Sequence, residues 1–274
     1  MSLQEPKMGE SVEDFYDDLA ESYHLMFENW DHTIARQAAI LGPILEQYTS
    51  KVSAHVLDCA CGIGTQALGL AQRGHILVGS DLSKSAIARA TNEARMRSLD
   101  ITFHVADMRN LGVIPESGFD AVLVADNALP HLLLQPDLER AIVEIGTKLK
   151  DSGILLATLR DYDQLLSIRP TMLQPAFYEQ DGKTRFVHQV WQWLGEQYSL
   201  HVYITLETEN GWRVKHFAST YRALRRSDLN QALEAAGFID IRWLDPDATS
   251  FYQPIVVATK SGAGRWGRTL EMNR

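Results

Sequence analysis

Asp58, Ala60, Gly62 and Gly64 stand close together in His55-Val56-Leu57-Asp58-Cys59-Ala60-Cys61-Gly62-Ile63-Gly64, and a further acid, Asp81, ends the apolar run Ile76-Leu77-Val78-Gly79 that follows. Small side chains at 60, 62 and 64 leave the backbone N–H groups at the start of the next helix open to a ligand. A carboxylate at position 81 can accept from both hydroxyls of a ribose. Gly62-Ile63-Gly64-Thr65-Gln66-Ala67 also fits the pattern G-x-G-x-x-G/A, so this much of the sequence suits a dinucleotide coenzyme as well as another adenosine ligand. Asp58 separates the two. An acid placed before the glycines repels a pyrophosphate and favours a ligand that carries positive charge. The unit that must hold these groups is strand, Gly-rich turn, helix, strand, one half of an open α/β sheet.

This order of features resembles the class I SAM-dependent methyltransferases, whose first strand ends in an acid followed by small residues and G-x-G. The resemblance implies a Rossmann-like seven-stranded sheet, S-adenosyl-L-methionine (SAM) as methyl donor and S-adenosyl-L-homocysteine (SAH) as product. It assigns Asp58, Ala60, Gly62, Gly64 and Asp81 to the donor. Asp107, ending the third strand, would accept from the adenine amino group between apolar walls at Leu82 and Met108, and no other partner for it is evident in the sequence.

The remaining elements follow in chain order. Ser11 to His24 has helical spacing of apolar residues, and a second helix is expected over Thr33–Gln47, interrupted or bent near Gly42-Pro43. Ser83 caps the next helix. Strands are expected at 101–106, 119–125 and 153–159, with a helix from Asp137 to Leu149. Short alternating runs with aromatic and β-branched residues then fill the chain to Ala223, and Glu209-Asn210-Gly211 marks a hairpin. They predict a small antiparallel insertion lying over the strand ends. Ser227 is expected to cap a last helix ending at Ala236, before closing strands at 238–243 and 254–259. The division is therefore cap helices over 11–50, a SAM-binding core over 51–163, an antiparallel lid over 164–223, the rest of the core over 224–260 and a disordered tail over 261–274, with Met1–Gly9 mobile.

Composition narrows the function. An apolar fraction of 45% and a charged fraction of 22% in 274 residues are ordinary for a soluble globular chain. A net charge of −9 argues against a nucleic-acid partner, since phosphate tracking needs clustered Lys and Arg. Cys59 and Cys61 are too close for a disulfide and too few for zinc, so no metal is expected and a reducing compartment is. No basic-plus-apolar leader and no apolar run near about 18 residues is present, which points to a cytoplasmic protein without a membrane partner.

A closer resemblance lies further along. Asp126-Asn127-Ala128-Leu129-Pro130-His131-Leu132 is similar to the G-N-S-F-A/T-H-L segment of glycine N-methyltransferases and their sarcosine and dimethylglycine relatives. Leu159-Arg160-Asp161-Tyr162-Asp163 resembles their R-N-Y-D segment, and Arg36 lies 20 residues before Val56, where that family keeps an Arg. The chain departs from the pattern at Ala128, Leu129, Pro130 and Asp161, beside the expected acceptor site. By position, the resemblance implies that Arg36 pairs with the SAM carboxylate and Arg160 with a substrate carboxylate, a role its planar fork suits. It puts Asn127 and Tyr162 at the methyl-transfer site, with His131 supporting that loop and the nearest group able to take a proton. Tyr16 or Tyr23 would reach the acceptor from the N-terminal helices, and Tyr221 from the lid; Trp191, Trp193, Tyr203 and Trp212 could add ring faces for an alkylammonium. The implied partner is a small carboxylated amine such as glycine or sarcosine. Another small carboxylated or aromatic acceptor, or a SAM-binding protein without turnover, stays open, as does the oligomeric state.

Overall fold

The computed structural model describes residues 11–180 and 182–262, so Met1–Gly9 and most of the tail from Ser261 lie outside the described residues. Two helices, α1 (Val12–Leu19) and α2 (Trp30–Thr49), precede the first strand, β1 (His55–Asp58). Helices and strands then alternate: α3 (Thr65–Gln72), β2 (Ile76–Asp81), α4 (Lys84–Met96), β3 (Ile101–Val105), β4 (Phe119–Val124), α5 (Gln135–Lys148), β5 (Leu149–Thr158) and α6 (Tyr162–Ile168). Four strands follow with no helix between them, β6 (Ala176–Gln180), β7 (Lys183–Leu194), β8 (Gln197–Thr208) and β9 (Gly211–Arg222). The chain closes with α7 (Arg226–Ala235), β10 (Phe238–Leu244), the short α8 (Pro246–Thr249) and β11 (Ile255–Lys260).

These strands form two sheets, a seven-stranded one in the order β10-β11-β5-β4-β1-β2-β3 and a four-stranded one in the order β6-β7-β8-β9. Strands β1 to β5 run parallel, while β11 is antiparallel to both β5 and β10. Strand β4 is buried along its whole length, as a near-continuous apolar strand must be when helices cover both faces. Helix α3 lies very close to α2. A Cβ on Gly69 would stand 2.7 Å from the Ile34 carbonyl oxygen and 2.8 Å from the Ala38 Cβ, so the approach depends on glycine.

Several boundaries differ from expectation. Helix α2 runs unbroken from Trp30 to Thr49 with Pro43 inside it, because the buried face of Ile34, Ala38, Leu41 and Leu45 outweighs the single backbone bond that proline removes. Strand β5 starts at Leu149, which pairs with Phe119 ahead of a register shift. Ser227 is not a cap: Arg225 holds that position in extended backbone, and Ser227 lies inside the first turn of α7. Ser83 does cap α4, accepting from the Ala86 N–H. The expected hairpin joins β8 to β9, with Thr208 paired to Gly211, whose φ is 102°. Strand β9 packs against α1 and the turn after β4, which sets the small sheet beside the carboxyl ends of the large one.

Candidate active site

A cavity of about 380 Å³ lies over the carboxyl ends of β3, β2, β1 and β4, a volume suited to a small organic ligand. Its floor is the turn after β1, lined by Ala60 and Gly62, while Gly64 opens α3 from a left-handed conformation (φ 94°) that other residues adopt only with strain. Asp81 is aimed by two backbone donors, the Gly62 N–H to Oδ2 (2.8 Å) and the Ser83 N–H to Oδ1 (2.9 Å). A carboxylate held in this way keeps lone pairs for the cavity, where a ribose diol can meet them. Leu82 and Met108 line the cavity beside it, with Asp107.

Asp107 does have a partner, contrary to expectation. Arg109, two residues on, grips the carboxylate with Nη2 to Oδ2 (2.6 Å) and Nε to both oxygens, and also donates its backbone N–H. Burial opposes ionisation, but the Arg109 bonds hold the carboxyl below its usual range. Asp107 is thus a fixed anion at the edge of the cavity, with much of its acceptor capacity already in use.

Asp58 is placed differently from its expected role. Its side chain is fully buried, does not line the cavity, and neither carboxylate oxygen completes a hydrogen bond. Burial, reinforced by the negative charges of Asp126 and Asp81 and only partly opposed by the nearby Ala60 and Ala67 N–H groups, pushes its pKa up to about 8. A carboxyl in that state is mostly protonated at neutral pH. Arg36 is also away from this cavity: it is exposed on α2 and borders a separate cleft with His32 and Tyr178.

The cavity is closed on its other side by Tyr16, Tyr23 and His131. Tyr16 Oη and His131 Nε2 are hydrogen bonded at 2.9 Å, and the imidazole lies 4.0 Å from the Tyr221 ring. Burial drives the His131 pKa down to about 3, so the ring is neutral at physiological pH. Both candidate N-terminal tyrosines therefore reach the cavity, and Tyr16 is the one bonded to His131.

Asn127, Tyr162 and Arg160 form a second cluster, outside the cavity lining. Asn127 Oδ1 accepts from the Tyr162 hydroxyl (3.0 Å) and from the Arg160 N–H (3.1 Å), while Arg160 Nη1 donates to Tyr198 Oη (2.7 Å) with its guanidinium 4.6 Å from the Trp191 ring centre. Arg160 borders a neighbouring cleft of about 890 Å³ with Trp191, Gln253 and Tyr252. Neither Asp161 nor Asp163 neutralises it, because Arg226 pairs with both. Strand alternation divides the aromatic residues of the small sheet. Trp191, Trp193 and Tyr221 share the face toward the core, whereas Tyr203 and Trp212 lie on the opposite face, Trp212 56% exposed, and cannot enclose the same ligand.

Sequence reasoning misses three side chains at the site, Gln66, Asp126 and Tyr252. Gln66 Nε2 bridges Gln37 Oε1 (2.6 Å) and Asp126 Oδ2 (2.9 Å), and Tyr252 Oη donates to Asp126 Oδ1. Asp126 has a visible signal, since it stands where the resembled segment has glycine.

The seven-stranded sheet, with a glycine turn after β1 and an acid ending β2 that both line one cavity, is the arrangement typical of the class I methyltransferase fold. Residues 56–153 match the family model described as a methyltransferase domain. The match covers only that part of the chain, and the fold around it is the one typical of class I SAM-dependent methyltransferases. Over 111 residues it is 37% identical to a glycine/sarcosine N-methyltransferase of Parasynechococcus marenigrum, covering 40% of this chain and 39% of that one. It is 28% identical over 143 residues to a dTDP-3-amino-3,6-dideoxy-alpha-D-glucopyranose N,N-dimethyltransferase of Streptomyces fradiae, covering 52% of this chain and 53% of the other. The chain thus spans only about two fifths to one half of the length of these curated relatives. Among solved structures, a sugar N-methyltransferase from a Streptoalloteichus species superposes with a TM-score of 0.73 at 19% identity, covering 96% of this chain and 99% of that one, which shows the shared fold. No helix among the described residues is long and apolar enough to cross a membrane.

Proposed function

We propose that the chain transfers a methyl group from SAM to the nitrogen of a small amine, with glycine- or sarcosine-type acceptors as the leading class. The bound donor supplies an electrophilic methyl on a sulfonium, so the protein has mainly to align a neutral nitrogen with it and exclude water. The Tyr16–His131 pair, which borders the cavity that holds the donor, is the observation that carries this reading. A hydroxyl and a neutral imidazole can accept and donate hydrogen bonds to an amine without repelling it. An imidazole with a pKa near 3 takes a proton from an ammonium poorly, so His131 acts by positioning and the acceptor nitrogen arrives neutral. Arg160 is the group for an acceptor carboxylate, supported by its place beside Asn127 and by the resemblance of its segment to R-N-Y-D.

A second acceptor class, an amino sugar, is favoured by the cleft of about 890 Å³ beside Arg160, where the half-exposed Tyr252 ring offers a face to a larger substituent. An acceptor panel followed by SAH release separates the two. Turnover is expected with at least one of glycine, sarcosine and dimethylglycine. Activity with a nucleotide-linked 3-amino sugar and none with the three amino acids selects the second class, and SAH binding without turnover on any acceptor rejects both.

A further inference from the structure

The orientation of the donor follows from strand order. The adenine slot lies over β3 and β2, and the ribose acid Asp81 ends β2, so the rest of the molecule must extend across β1 toward β4. Two strand spacings separate β2 from β4, about 10 Å, a span the flexible methionyl tail can cover. The carboxylate that lines the cavity at that end belongs to Asp126, just beyond β4. Its backbone takes a left-handed conformation (φ 54°), tolerated by Asp, and its N–H donates to Thr158 Oγ1 at 2.9 Å.

We propose that Asp126, and not Asp58, is the anion that receives the α-ammonium group of bound SAM. Both oxygens of Asp126 are held in place by neutral donors, Gln66 from α3 and Tyr252 from the segment before β11. Three other acids of the fold are matched by a cation, Asp107 by Arg109, Asp120 by Lys51 and Lys150, and Asp161 by Arg226, while Asp81, at the β2 end proposed for the ribose, takes only backbone donors. Asp126 is positioned like them and takes only neutral donors, so a bound ammonium completes it. Its carboxyl is held above the usual range, burial outweighing the Tyr252 and Gln66 bonds and the charge of Arg160, as for a buried acid that still lacks a cationic partner. Tyr23 is a phenol whose ionisation the Asp126 charge opposes. Asp58 lies buried beneath the turn and presents no oxygen to the cavity.

The role of Asp126 rests on SAM as the donor and is independent of the acceptor. Titration calorimetry with SAH and with deamino-SAH, the same molecule lacking the α-amino group, tests it on the full chain. Wild type should prefer SAH, and Asp126→Asn should weaken SAH at least about tenfold while changing deamino-SAH less than about twofold. Asp126→Gly, which suits the left-handed backbone, should give the same selective loss and guards against misfolding of the first variant. Asp58→Asn should leave the preference intact. Equal loss of both ligands in the Asp126 variants, or selective loss in Asp58→Asn instead, overturns the proposal. So does unchanged SAH binding with a raised acceptor KM, which would move Asp126 to the acceptor. Failure of the wild type to bind SAH at all would remove the donor assignment itself, a result distinct from the others.

Discussion

Asp81→Ala should weaken SAH binding about a hundredfold or more while the chain remains folded. Hydrogen bonds to a charged acceptor contribute about 1.5–3 kcal/mol each, and in the proposed donor complex two ribose hydroxyls share this carboxylate, so at least about 3 kcal/mol is lost. The same substitution frees the Gly62 and Ser83 N–H groups, which loosens the turn that floors the cavity. Asp81→Asn keeps one acceptor oxygen, and its loss should fall nearer tenfold. Calorimetry on both variants checks the order; an Asp81→Ala affinity within about threefold of wild type would remove the ribose assignment.

Stability should depend on pH through Asp58. Its folded pKa is raised from 3.8 to about 8, chiefly by burial. The native state therefore holds the proton more tightly than the unfolded chain. The resulting stabilisation is complete below the unfolded value, near pH 4, and is lost as pH rises toward 8, at up to about 1.4 kcal/mol per pH unit. Asp58→Asn removes the titration with little change of shape. In the absence of donor, the variant should gain stability over wild type progressively between about pH 5 and pH 8, as read by denaturant unfolding at each pH. A difference that stays constant across that range would mean that the Asp58 carboxyl is not sealed from water.

Much of the candidate site was legible in the sequence because its turn is set by backbone conformation. Gly62, Gly64 and Asp81 announce themselves by type and spacing, since a turn that meets a ligand through N–H groups tolerates few other residues. The alternation of apolar runs with helical segments was equally direct for the order of the core elements, though not for their ends. Long-range pairing was not legible. Whether Arg109 turns inward onto Asp107 or outward to solvent is decided by packing around it, which no local pattern records. Asp58 has the place in the chain of an anion facing the ligand, yet its side chain points beneath the turn, and the carboxylate facing the cavity at that end comes from Asp126 on a different strand end. The two faces of the small sheet were hidden for the same reason, since Tyr203 and Trp212 look equivalent to Trp191 and Tyr221 until the register of β7, β8 and β9 separates them.

The proposed function requires this cavity to take a methyl donor and not a pyrophosphate coenzyme. Calorimetric titration of the purified chain with SAH and, separately, with NAD tests that distinction most directly. Saturable binding of SAH to one site per chain, with no measurable uptake of NAD, is the expected result. Tight binding of NAD with no response to SAH would contradict it.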